Sequence, residues 1–295
     1  MATRGTGTGA SVVTDVLRLR RASAYGAGPG LDQALEVCRR LAGLGLTSVI
    51  GYSARPREEP RSVADVHLAA FDRLAAEGLD CHVSVKLSGI GFDPALVGEL
   101  ADRAARAGRR LHFDALQAES ADETLQLLES LPRTGRLGTT LPGRWRRSPA
   151  DARRAVDAGL AVRVVKGHWD DRVGGSLDPV TGYLAVVDAL AGSKAGVGVA
   201  THDERLLRES LGRLKGSGTD CEVELLLGLP FRGPASIAGG LGVPVRVYVP
   251  YGDAWPGYGI RDLVSHPRTV WWLAQDLFFG PDKTWRSIRR AGRNR

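Results

Sequence analysis

The chain has 295 residues, of which 25% are charged and 43% hydrophobic, and its formal net charge is +7. That size fits one large α/β domain or two small ones, and the composition is that of an ordinary globular protein. No apolar run approaches the ~18 residues of a membrane span, and the Gly/Thr-rich start at Met1–Ser11 lacks the apolar region of a signal peptide. Cys38, Cys81 and Cys221 are far apart and show no metal-ligand spacing, so they read as reduced, mostly buried thiols in a cytoplasmic protein. Residues 1–28 read as a flexible leading segment. The positive excess gathers in a basic tail over 283–295, and Trp285–Arg295 holds five Arg and no acid. Zinc spacing, an RNP-like aromatic motif and a helix-turn-helix are all missing, so the tail reads as an exposed chain end and no nucleic-acid partner is expected. A peripheral contact with anionic lipid stays open.

Taken in order, the chain alternates between two periodicities. Leu31 to Leu41 has helical spacing (Leu31, Ala34, Leu35, Cys38, Leu41), and Thr47–Ile50 is a short strand closed by Gly51. Arg61–Glu77 is an amphipathic helix, and His82–Leu87 alternates as a strand. Asp93 can cap a helix that has Pro94 at its first position and ends at Gly108. Leu111–Asp114 is a third strand, followed by a helix over Ala121–Leu131. Arg136–Leu141 is a fourth strand, and Pro149–Ala158 a helix stopped by Gly159. The pattern continues with strand Ala161–Lys166, helix Pro179–Leu190, strand Val197–Thr201, helix Glu204–Leu214, strand Cys221–Leu227, a poorer helix Pro234–Gly240, and strand Val243–Val249. Further helices fill Ile260–Arg290. About eight strands, each followed by a helix, predict a single (β/α)₈ barrel domain. A doubly wound sheet is the competitor, but Gly26–Gly30 precedes the first strand and is no dinucleotide fingerprint.

A barrel keeps its chemistry at the C-terminal ends of its strands. Those ends read Lys86, Asp114, Arg163 with Lys166, Thr201-His202-Asp203, Glu224 and Tyr248. The stretch Arg163-Val-Val-Lys-Gly-His-Trp-Asp170 joins charge, close backbone approach at Gly167 and an aromatic plate at Trp169, which suits an anionic, flat cofactor. A strand end with a solvated Lys and a packed Trp is the plain alternative. Strict alternation puts Arg163 and Lys166 on opposite faces, so at least one lies beyond the last ladder bond. A strand-end Lys86 and Asp114 can form a buried ion pair that orients a substrate, or one that only neutralises itself. His112 and Asp114 share a face, and His168 and His202 end other strands. No His pair has ligand spacing, however, and cations crowd the rim, so no metal is expected.

Ser84-Val-Lys-Leu-Ser88, Asp114 with Thr124-Leu125, Arg163-Val-Val-Lys-Gly167, Ala200-Thr-His-Asp203, Glu222 to Gly228, and Arg246-Val-Tyr-Val-Pro-Tyr-Gly252 occur in the order and spacing of the FAD-dependent proline dehydrogenase family, which the chain resembles from about Gly43 to Pro267. The resemblance implies a distorted (β/α)₈ barrel with FAD over the strand ends. It also implies hydride transfer from the carbon beside an amine to flavin N5, giving an imine. By position, Arg163 lies near flavin N5, while Val165, Lys166 and Gly167 line the ring and ribityl chain. Thr201, His202 and Asp203 match a cofactor motif, and Lys86 and Asp114 match the pair at the substrate amine. Leu226, Tyr248 and Tyr258 match pocket walls, and Arg261 matches one of two Arg residues that grip a substrate carboxylate. The implied partners are a small amine or imino-acid substrate and an electron acceptor, whether quinone, oxygen or a redox protein.

The departures from the family pattern are specific. Where the family places Arg-Arg and then Glu, this chain reads Arg261, Asp262 and Ser265. Pro142 and Glu224 stand at positions of flavin-contacting Gln, Leu116 stands where an acid is usual, and His168-Trp169 replaces Ala-Tyr. The flavin cradle is better preserved than the carboxylate clamp. The expected activity is therefore oxidation of a proline-like amine with altered specificity, the alternative being a degenerate barrel that binds without turnover.

Overall fold

The structure, a computed structural model, describes residues 26–114, 117–131, 136–167, 170–172 and 174–252. Eight parallel strands close into a barrel in strict sequence order: β1 Thr47–Tyr52, β2 Cys81–Lys86, β3 Arg110–Asp114, β4 Arg136–Pro142, β5 Ala161–Val165, β6 Val197–Ala200, β7 Cys221–Leu226 and β8 Val245–Tyr251. The ring closes where β8 pairs with β1 over Thr47↔Arg246 to Tyr52↔Tyr251. Eight helices surround it among the described residues: α1 Leu31–Ala42, α2 Pro60–Ala76, α3 Pro94–Arg106, α4 Ala121–Ser130, α5 Ser148–Asp157, α6 Pro179–Leu190, α7 Glu204–Gly216 and α8 Arg232–Gly240. The predicted (β/α)₈ barrel is what forms. No helix among the described residues is long and apolar enough to cross a membrane.

Local chemistry sets the element boundaries. Asp93 accepts from the Ala95 N–H at 2.8 Å and the Leu96 N–H, capping α3 with Pro94 in its first turn. Asp178 and Asp203 cap α6 and α7 in the same way, so three carboxylates satisfy N–H groups that a helix start leaves orphaned. Gly108 and Gly159 take positive φ just past α3 and α5, the left-handed position that reverses the chain toward the next strand. Most predicted boundaries move by one or two residues, two of them near the end of the barrel. Helix α8 begins at Arg232 rather than Pro234. Strand β8 runs from Val245 through Pro250 to Tyr251, because the backbone of 250–251 still finds partners: Ala27 N–H donates to the Pro250 carbonyl and Ser53 N–H to that of Tyr251, each at 2.8 Å.

Alternation divides the strands between two environments. Val83, Val85, Phe113, Val162, Val164, Val199, Val223 and Val247 are fully or almost fully buried and pack with helix residues such as Leu35, Phe71, Leu100 and Leu211 in one apolar shell. Residues of opposite parity face the barrel axis, and there many of the side chains are polar. Near the base, Arg246 Nε donates to Glu222 Oε2 at 3.0 Å, and Arg110 Nη1 reaches Glu222 Oε1 at 3.3 Å. Strands β3 and β7 are not neighbours, so the second bond crosses the interior. Burial pushes the Glu222 carboxyl up from its ordinary value, against the pull of Arg246.

Candidate active site

One tier above that base, Arg163 is the hub of the interior. It is the third residue of β5, 5% exposed, and its guanidinium spans two carboxylates. Nε donates to Glu224 Oε2 at 2.7 Å, and Nη1 donates to Asp114 Oδ1 at 2.9 Å. Ser84 Oγ accepts a further bond from Nη1 at 3.2 Å, and Arg163 Cζ lies 5.3 Å from the centroid of the Tyr248 ring. Four strands thus meet on one side chain from a fifth. Burial opposes its charge, yet Glu224 and Asp114 outweigh the penalty and raise the guanidinium above its ordinary value. Glu224 Oε1 fills space above β6 that only glycine leaves free, since a Cβ on Gly198 would lie 2.4 Å from it.

Asp114 ends β3 and is 9% exposed. Besides Arg163, it accepts from Thr140 Oγ1 at 2.6 Å on Oδ1 and from Ser84 Oγ at 2.8 Å on Oδ2. Lys86 is its register partner at the end of β2, but the expected direct ion pair does not form. Lys86 Nζ donates instead to the Tyr52 carbonyl at 3.2 Å and to Ser53 Oγ at 3.5 Å. The carboxylate prefers the guanidinium, which reaches it across the barrel and can share its donors between two acids. Burial pushes the Lys86 ammonium below its ordinary value, with Asp114 opposing and Arg163 adding to the shift.

Around this charged floor, the inward residues at the strand ends are only half-buried: Lys86, Val165, Ala200, Leu226 and Tyr248. They form a partly apolar collar at the barrel mouth. Burial pushes the Tyr248 phenol up, so it stays protonated. Lys166 lies just past β5, as alternation requires, and its ammonium pairs with Asp203 at 3.0 Å on the rim. Burial opposes the charge on Asp203, but the Lys166 hydrogen bond holds its carboxyl below the ordinary range. Gly167 takes φ +84°, and a Cβ there would lie 2.7 Å from Pro142 Cβ. The β5 end can therefore lie flat against β4 only without a side chain at this position.

The sequence Thr201-His202-Asp203 has a local explanation. Thr201 Oγ1 accepts from the Asp203 N–H, and Asp203 caps α7. His202 Nδ1 meets the Pro230 carbonyl at 2.9 Å, while Nε2 accepts from the Leu226 N–H at 3.0 Å. Burial lowers its pKa to about 4, so it is neutral. Both ring nitrogens are committed to the β7–α8 connection, which leaves the imidazole face, not its nitrogens, for any ligand. The structure brings Lys86, Asp114, Arg163, Val165, Glu224, Leu226 and Tyr248 to one mouth, with Lys166, Gly167, Thr201, His202 and Asp203 on its rim. Trp169, Tyr258, Arg261, Asp262, Leu116, His168, Ser265 and both chain ends lie outside the described residues. Three members of the cluster went unassigned from sequence: Ser84, Thr140 and His112 as a partner of Thr140. The signal was parity, since Ser84 shares the inward face with Lys86, and Thr140 shares it with Pro142.

A parallel (β/α)₈ barrel with convergent polar residues at its C-terminal mouth defines a barrel enzyme. No family model matches the chain. It is 26% identical to Proline dehydrogenase 1 of Bacillus subtilis over 262 residues, which cover 82% of this chain and 85% of the relative. It is also 26% identical to Proline dehydrogenase of Deinococcus radiodurans over 289 residues, covering 88% and 90%. Among solved structures, it superposes on proline utilization A from Bdellovibrio bacteriovorus inactivated by N-propargylglycine with a TM-score of 0.72 at 14% identity, covering 96% of this chain. Proline utilization A from Corynebacterium freiburgense gives 0.67 at 15% identity and 97% coverage. The chain spans about a third of the length of those two proteins, which share its fold. The chain is thus similar over most of its length to curated proline dehydrogenases and shares its barrel fold with proline utilization A.

Proposed function

We propose that the chain binds FAD non-covalently at the barrel mouth and oxidises a cyclic or secondary amine there, with a substrate other than L-proline. The observation that carries this reading is the Arg163 cluster, a cation between two carboxylates beneath a half-buried apolar collar. The donor chemistry fits such a cofactor. Val165, Leu226 and Tyr248 offer a surface for a flat ring above a fixed cation, Gly167 keeps the β5 end low, and Lys166 supplies a partly exposed cation at the rim. Bound FAD supplies the two-electron sink for a hydride leaving the carbon beside the nitrogen. The chain's own residues do the positioning: Asp114 presents a carboxylate to the amine, Lys86 and Tyr248 border it, and Arg163 holds the carboxylate in place.

Asp262 supports the altered specificity. A second Arg would complete a carboxylate fork with Arg261, whereas Asp repels a carboxylate and attracts a cation. The fitting substrate is an amine without the carboxylate, or one with a second basic group. Purified chain loaded with FAD is expected to be yellow, to release flavin on heating, and to bleach with pyrrolidine or a diamine far faster than with L-proline. Asp262→Arg with Ser265→Glu is expected to raise the rate with L-proline. Fast wild-type reduction by millimolar L-proline would overturn the specificity, and a chain that takes up no FAD would overturn the cofactor. Binding without turnover has one observation in its favour: Asp114 already accepts three hydrogen bonds from the protein. A loaded protein that no amine bleaches would select that reading.

A further inference from the structure

Behind Asp114 lies a second buried pair that the proposed chemistry does not use. His112 precedes it by two residues on the inward face of β3, and Thr140 sits across on β4. The two are 3% and 5% exposed. His112 Nε2 is 2.9 Å from Thr140 Oγ1, which in turn donates to Asp114 Oδ1 at 2.6 Å. The proton count is fixed by chemistry. A carboxylate has no proton to give, so the one hydroxyl proton of Thr140 goes to Oδ1. Thr140 Oγ1 can then only accept from the imidazole, which makes His112 the Nε2–H tautomer. Burial, with the Arg163 and Arg110 cations, holds the His112 pKa well below its ordinary value against an opposing backbone hydrogen bond at Thr139, so the ring carries a single proton, and the Thr140 contact assigns it to Nε2. Room for the ring comes from β4, since a Cβ on Gly138 would lie 2.6 Å from His112 Nδ1.

The chain of donors has a directional result. Oδ1 takes two bonds, from Thr140 and Arg163, and is saturated. Oδ2 takes one, from Ser84, and keeps a lone pair. We infer that His112 and Thr140 are positioning residues that lock the rotation of the Asp114 carboxylate, so that Oδ2 is the oxygen that receives the substrate's amine N–H. The inference rests on the reading of the mouth as an amine site. It separates these residues from a histidine merely satisfied in the core, because only a positioning role passes to the ligand through one hydroxyl.

The test uses the full chain, with and without FAD, and pyrrolidine as the probe, its affinity read by calorimetry. Thr140→Val and His112→Leu are expected to weaken pyrrolidine binding about ten- to a hundredfold, as for a lost hydrogen bond to a charged group. Thr140→Ser keeps the hydroxyl and His112→Gln keeps an N–H near Nε2, so both are expected to restore affinity, with FAD content equal in all four. Wild-type affinity in the Val and Leu variants overturns the inference. So do equal losses in all four, or a wild-type chain that does not bind pyrrolidine. A wild type that binds pyrrolidine without flavin bleaching overturns the oxidation reading alone. Should the apolar variants fail to fold, ¹⁵N spectra of the histidines in wild type decide: His112 is expected as the Nε2–H tautomer, and an Nδ1–H imidazole sinks the proposal.

Discussion

At Arg163 opposing electrostatic effects meet in one side chain. A buried guanidinium between two buried carboxylates is held by mutual neutralisation, and removing one partner strands charge away from water. Glu224→Leu is therefore expected to destabilise the fold by about 3–5 kcal/mol, read as a shift in the urea midpoint at unchanged slope. Glu224→Gln keeps an oxygen for Arg163 Nε and is expected to cost far less. Equal losses in the two variants would mean that the charge on Glu224 matters more than its hydrogen bond. The same geometry gives Asp114 a place in the fold beside the substrate role proposed for it. Ser84, Thr140 and Arg163 all donate to Asp114, which ties three other strands to β3. Its position at a strand end was legible, because a carboxylate there has no packing reason. Its partner was not, since Asp114 and Arg163 are 49 positions apart and only barrel curvature brings β5 across to β3.

Among the elements, two backbones come very close between the β4 end and the start of α6. A Cβ on Gly182 would lie 1.9 Å from the Gly143 carbonyl oxygen, and one on Gly143 would lie 2.5 Å from the Tyr183 backbone nitrogen. Neither neighbour is the mobile end of a side chain, so Gly182→Ala must push α6 off the barrel. The expected result is a loss of more than about 2 kcal/mol, in the range of overpacked cores. Gly212, exposed on α7 with nothing within 4 Å of its added Cβ, is the control. Gly212→Ala is expected to stabilise by about 0.5–1 kcal/mol through helix propensity, and thermal melts of the pair should move in opposite directions. Element order and barrel class were legible, and boundaries to within one or two residues, because period 2 and period 3.6 alternate with clean Asp-Pro starts and Gly stops. The α6 junction was not: a glycine inside a helical pattern looks the same whether it marks free space or another backbone.

For the molecule as a whole, buried histidines make stability depend on pH. Burial keeps His67 and His202 neutral in the folded chain, with pKa values lowered to about 3 and about 4, and holds His112 well below its ordinary value. An unfolded histidine takes up its proton near pH 6.5. The stabilisation these neutral rings represent is thus fully present above about pH 6.5 and is lost as pH falls toward 4, by up to about 1.4 kcal/mol per pH unit for each ring. That window lies above the ordinary carboxylate range, so urea midpoints between pH 7 and 5 report on the histidines together with the raised Glu222 carboxyl. His67→Leu should flatten the dependence, and an unchanged slope would exclude His67 as a contributor. The closing seam of the ring carries a different consequence, one of time. Thr47 Oγ1 meets the Val245 carbonyl across 198 positions, and β1 finds its second neighbour only when β8 arrives. Until then β1 and the free side of the last-formed strand are bare parallel edges, open to pairing with other chains. Loop closure over that span makes the seam the late, slow event of folding and the point where assembly competes with aggregation. On a ribosome, seven strands wait for the eighth.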